Sequence, residues 1–207
     1  MRGRIRTMLI IATIFALPFA LVWGGVVPVD LRRWLYAAAG VVAFGVVLQS
    51  GLSLRDLGFR WDNARAAALP YALFAIVGAA AIVAFALAVG RMPRAEWWLA
   101  PHFAYGIIIP ISVAQEFFYR SMLVPLLQRL SHVRSFVIIV NAALFAFLHI
   151  IFPDPAIVLP STFLAGVIFA WLWLRWPNIW IASATHIVLN AAFVLFCFGG
   201  FETSCIR

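Results

Sequence analysis

Six polar side chains stand where so apolar a chain has little room for them: Gln115, Glu116 and Arg120 in "VAQEFFYR", His149 in "FAFLH", and His186 and Asn190 in "HIVLN". An ionisable group at bilayer depth costs on the order of 2.5–3.5 kcal/mol on insertion scales, and such groups usually face a bundle interior or a watery cavity. Glu116 and Arg120 are four residues apart, so on a helix they share a face and can neutralise each other. Gln115 points about 100° around the same helix, within reach of a neighbour packed on that side. Phe145 and His149 repeat the four-residue spacing, and so do His186 and Asn190. Glutamate and histidine transfer protons, and histidine, asparagine and glutamine can donate hydrogen bonds to an oxyanion. Any one of these features alone could be structural: a Glu–Arg pair locking two helices, a packing histidine, or an asparagine joining helices. Three segments each bearing such residues point instead to a site.

The elements that must position them follow from composition. The chain of 207 residues is 66% hydrophobic and 11% charged, with a mean hydropathy of +1.05. Soluble domains carry roughly a quarter charged residues, so the sequence predicts an all-α polytopic membrane protein. Apolar runs near the length of a bilayer crossing lie at 8–27, 34–50, 67–89, 98–127, 133–152, 156–175 and 177–198, giving about seven transmembrane helices in one bundle. Counted from a turn near Ser131, Glu116 lies 15 residues back and His149 18 forward, about 23 and 27 Å along antiparallel helices, and therefore at similar depth.

The net charge of +8 comes entirely from arginine, because the chain contains no lysine. In a membrane protein that balance concerns loop orientation and anionic headgroups, and no nucleic-acid role is assigned. With the N-terminus inside, Arg2, Arg4, Arg6, Arg55, Arg60, Arg65, Arg129, Arg134 and Arg175 fall at cytoplasmic ends; Arg32, Arg33, Arg91, Arg94 and Arg207 fall outside. The arginine-rich start is read as a retained first helix, not a cleaved signal, since no A-x-A site follows. The polar connection from Ser50 to Ala66 is expected to lie on the membrane surface as an amphipathic segment. Residues 1–207 read as a single integral membrane domain, without internal repeats.

Other polar and aromatic residues have structural readings. Cys197 and Cys205 offer neither a disulfide framework nor a CxxC site. His102 and His132 fall at span boundaries. Trp171, Trp173, Trp176 and Trp180 suggest an interfacial aromatic belt. Asp154, between Pro153 and Pro155, suggests a tight exposed turn.

Taken in order, "QEFFYR", "FAFLH" and "HIVLN" resemble the CPBP family of CAAX prenyl endopeptidases and bacteriocin-processing or self-immunity proteins. Its pattern is E-E-x-x-x-R, F-x-x-x-H and H-x-x-x-N, and the likeness covers about residues 50–198, including "SLRDLGFR" and "GVIFAWLWLRWPNIWIASATHIVLN". The resemblance implies an intramembrane glutamate-dependent endopeptidase of the type II CAAX kind. The first glutamate of the pair would activate a water with the help of His149, His186 and Asn190 would hold the oxyanion, and Glu116 with Arg120 would organise the site. Two histidines and a carboxylate could also ligate zinc, so the cofactor stays open.

Gln115 stands where the family has its first glutamate, and an amide cannot accept a proton at neutral pH. Three explanations stay open: an engineered near-isosteric replacement of the base, which the otherwise intact motif set favours; a natural non-proteolytic member; or an active variant with Glu116 as base. The expectation is a protease built to cut membrane-associated proteins or peptides, including C-terminal tails, and inactive or attenuated as written. The absence of lysine and the richness in alanine, arginine and tryptophan suggest a GC-rich bacterium, and hence its cytoplasmic membrane. The alternatives are a non-catalytic membrane binding, scaffold or immunity protein, and a haem-binding membrane protein with His149 and His186 as axial ligands.

Overall fold

Proline and asparagine set where two helices begin. Pro155 occupies the first position of its helix, where a missing N–H costs nothing, and the Asn178 side chain accepts from the Ile181 N–H at 3.1 Å to cap the last helix. The computed structural model describes residues 2–28, 31–93, 108–152, 154–196 and 198. His102, Cys197, Cys205, Arg94, Arg207 and Pro153 lie outside the described residues, as does part of the 98–127 run. The helices are α1 (Arg2–Ile11), α2 (Leu17–Trp23), α3 (Arg32–Gln49), α4 (Ala64–Ala88), α5 (Ile109–Glu116), α6 (Val124–Leu130), α7 (Arg134–Phe147), α8 (Pro155–Arg175) and α9 (Ile179–Leu195). A π-helical stretch, Ala12–Ala16, joins α1 to α2; a second, Phe117–Leu123, joins α5 to α6; a 3₁₀ turn, Leu148–Ile151, extends α7. No strand occurs among the described residues, in keeping with the all-α expectation.

Among the described residues two helices, Ala64–Ala88 and Pro155–Arg175, are long and apolar enough to cross a membrane. Seven crossings are therefore not established, since π interruptions and shorter apolar helices, such as Ile179–Leu195, fall below that length. The outward faces nevertheless suit lipid. On α4, Leu69, Leu73, Ile76 and Val77 form a stripe at helical spacing, each more than half exposed, and Val41, Val42 and Leu164 are exposed on α3 and α8.

The core gathers Tyr71, Tyr119, Phe145, Phe169 and Leu189 with residues of α1, α3 and α6. Close helix approach depends on Gly166, where a Cβ would come within 2.9 Å of the Ala142 backbone. That gap lets α7 and α8 meet along their length, as small residues do between membrane helices.

Hydrogen bonds define two ends of the bundle. At one, Arg129 donates to the Ser50 carbonyl (2.8 Å), Asn63 to the Pro177 carbonyl (3.0 Å) and Asn178 to the Arg60 carbonyl (2.9 Å). At the other, Arg91 pairs with Asp154 at 2.8 Å and lies over the Phe198 ring. The turn preceding α8 is formed by Asp154 in the left-handed conformation, φ 59°, half-exposed as the sequence suggested.

Two sequence expectations are met only in part. Residues 50–63 form turns tied into the bundle, with Leu54 and Trp61 exposed as an amphipathic surface segment requires but Leu57 turned into the core. Gly58, at φ 79°, puts its backbone against Trp173 and accepts from the Ile179 N–H, burying Leu57. Ser53 hydrogen bonds hold the Asp56 carboxyl below the ordinary carboxylate range, and Asp62 receives Arg55 and Arg60. Trp173 is consequently core and not part of an aromatic belt; Trp171 and Trp180 remain partly exposed.

Candidate active site

The site is built where α5, its π extension, α7, α8 and α9 meet. Glu116 ends α5 and Arg120 lies within the π stretch; both are completely buried. The sequence suggested one unbroken α-helix here. The wider turn is accommodated by Asn141 of α7, whose amide donates to the Tyr119 carbonyl at 2.7 Å. Gly40 of α3 gives Phe118 room to pack. Such interruptions of α-helices are frequent at functional sites.

Glu116 is held from two sides. Its Oε1 accepts from His186 Nδ1 at 2.7 Å, and its Oε2 lies 3.4 Å from Arg120 Nε. The guanidinium rests over Phe145 and Phe169, 4.4 and 4.8 Å from their ring centroids, where an aromatic face attracts a cation. His186 packs on the same two rings. One turn back along α5, Ser112 donates to the Ile108 carbonyl (2.7 Å) and accepts from Asn190 Nδ2 (2.9 Å). Residues 112 and 116 of α5 therefore face 190 and 186 of α9 in antiparallel register.

Gln115 and His149 form a second, shallower layer. The Gln115 amide nitrogen is 3.4 Å from His149 Nε2, and His149 Nδ1 is 2.8 Å from the Phe145 carbonyl. A carbonyl can only accept, so Nδ1 carries the proton and Nε2 presents a lone pair toward Gln115. Gln115, His149 and Asn190 are half-buried, whereas Glu116, Arg120 and His186 are buried. All six residues singled out by sequence thus lie in one neighbourhood, and the depth expected for Glu116 and His149 is met by the contact of the adjacent Gln115 with His149.

Sequence reasoning missed Ser112, Asn141, Phe169 and Tyr71. Ser112 had a usable signal, since it stands four residues before Glu116 on the same helical face. Nothing in local spacing announced Asn141, Phe169 or Tyr71. His132 is exposed in the turn between α6 and α7, away from this cluster.

The sequence comparison adds a likeness to one family. Residues 95–192 match the family described as type II CAAX prenyl endopeptidase Rce1-like. No curated protein and no solved structure matches the chain. The matched segment contains all six site residues and lies inside the 50–198 region of resemblance. Among the described residues, no three His, Cys, Asp or Glu side chains gather to hold a metal. Glu116 and His186 are bonded to each other, and His149 faces an amide, so these side chains do not fit a zinc site as arranged. Nor does the geometry favour a haem between the histidines, because Phe145 packs against both of their rings.

Proposed function

We propose that the chain is a single integral membrane domain built as an intramembrane endopeptidase, with its water-activating position occupied by Gln115, so that hydrolysis is attenuated. The observation carrying this reading is the two-layer site: a buried Glu116–His186–Arg120 cluster beside a half-buried Gln115–His149 pair. It opens on polar groups suited to a water and a peptide carbonyl. The substrate class is a membrane-associated protein or peptide, and the setting a bacterial cytoplasmic membrane crossed about seven times.

The roles follow from the atoms. In amide hydrolysis, a water oxygen attacks the carbonyl carbon, its proton passes to a base, and a proton reaches the departing amine nitrogen. Glu116 fixes the His186 ring by taking Nδ1–H, which leaves Nε2 for the substrate side, an arrangement seen wherever a carboxylate orients a catalytic imidazole. Asn190, steadied by Ser112, supplies an amide donor for the oxyanion. His149 Nε2 can accept from a water, but the neighbouring Gln115 amide cannot take its proton.

Gln115 also favours a second reading, a protein that holds a membrane segment without cutting it. The test is to restore a carboxylate with Gln115→Glu in membranes containing the host's own proteins and to read protein termini by mass spectrometry. New termini support the endopeptidase; capture of a partner with no new termini supports the holding protein.

A further inference from the structure

Behind the Glu116–His186 contact, on the α4 side, lies a set of buried polar atoms without hydrogen-bond partners. They are the Tyr71 hydroxyl, Glu116 Oε2 and all three guanidinium nitrogens of Arg120. Tyr71 and Arg120 are completely buried, and both residues lie within electrostatic reach of Glu116 and of each other. The α4 backbone meets α9 here, where Thr185, next to His186, donates to the Tyr71 carbonyl at 3.4 Å. Arg120 Nε is close to Glu116 Oε2 but poorly aimed, so their attraction is coulombic and leaves the donors unused.

A buried polar group left without a hydrogen bond is destabilising, the more so when charged, and native interiors rarely carry several together. Buried waters occur where two to four such groups converge. Here one guanidinium with five donors stands 3.4 Å from a carboxylate oxygen, and a hydroxyl that both donates and accepts lies within electrostatic reach of both. Water is the one ligand that satisfies donors and acceptors in the same small space; an anion would leave Glu116 Oε2 opposed by like charge.

We propose that Tyr71, Glu116 and Arg120 enclose an internal water site on the α4 side of the buried cluster. The site stands on these orphaned atoms; only its use, as water held next to a hydrolytic centre inside a bilayer, rests on the endopeptidase reading.

The test uses the full chain in nanodiscs and needs no cleavage activity. Under X-ray radiolysis, hydroxyl radicals generated from bound water label adjacent side chains, and mass spectrometry locates the label. Tyr71 is expected to be labelled despite its burial, while Trp173, equally reactive and 3% exposed without an orphaned polar atom, serves as the protected reference. Labelling of Tyr71 no higher than that of Trp173 overturns the proposal. Tyr71→Phe gives a second reading by sign: loss of a water-bonded hydroxyl lowers Tm by about 2–4 °C, whereas removal of an unsolvated one leaves Tm unchanged or raises it, which also overturns the proposal.

Discussion

Glu116 owes its place to partners on two sides, and each can be removed singly. Glu116→Gln keeps the shape but strands the Arg120 charge among Phe145 and Phe169. Breaking one member of a buried pair costs about 3–5 kcal/mol, and equilibrium unfolding in micelles should show a loss of that size. Ser112→Ala leaves Asn190 without its acceptor, so oxyanion support weakens with a smaller loss of stability, about 1 kcal/mol since Asn190 is half-buried. In a Gln115→Glu background it should lower kcat with KM little changed, and Ser112→Thr, which keeps the hydroxyl, should restore it. At this scale the six polar residues were legible because charge in an apolar run is conspicuous and four-residue spacing implies a shared face. Phe169 and Tyr71 were illegible for the opposite reason: aromatic residues in apolar helices are ordinary, and only tertiary packing makes them walls of a charge site.

Helices and turns carry the next layer of consequence. Helix positions were readable from hydropathy, whereas their exact starts, such as the Asn178 cap of α9, were not among the sequence expectations. The π stretch Phe117–Leu123 was not, because a bonding shift of one residue depends on Asn141, which reaches the Tyr119 carbonyl from another helix. The 50–63 connection was legible only in part for a related reason: Leu57 reads as one more residue of an amphipathic surface segment, while the positive φ of Gly58 and its contact with Trp173 turn it inward. Gly58→Ala should therefore destabilise the protein by more than about 2 kcal/mol, through a left-handed backbone that alanine disfavours and a Cβ built 2.4 Å from the Trp173 ring. A fall in Tm without loss of helical circular dichroism below the transition would register it.

Across the whole molecule, the bundle's two ends agree with the arginine bias read from sequence. Ser50–Asn63, Arg129 and Trp176–Asn178 are bonded at one end, and Arg91 and Asp154 meet at the other. A single cysteine at position 61 is expected to react with a membrane-impermeant thiol reagent only from the cytoplasmic side, and one at position 154 only from the opposite side; identical labelling of both would contradict that arrangement. Hydropathy alone made the membrane class legible, while the number of crossings depends on how far the shorter helices extend into lipid. If a hydrolytic site lies in this bundle with an amide in place of its base, the single-turnover rate of one membrane substrate must differ between the chain as it stands and Gln115→Glu. A general base contributes about 10²–10⁴-fold, so the glutamate variant should be faster by that factor, and equal rates for the two proteins would contradict the account.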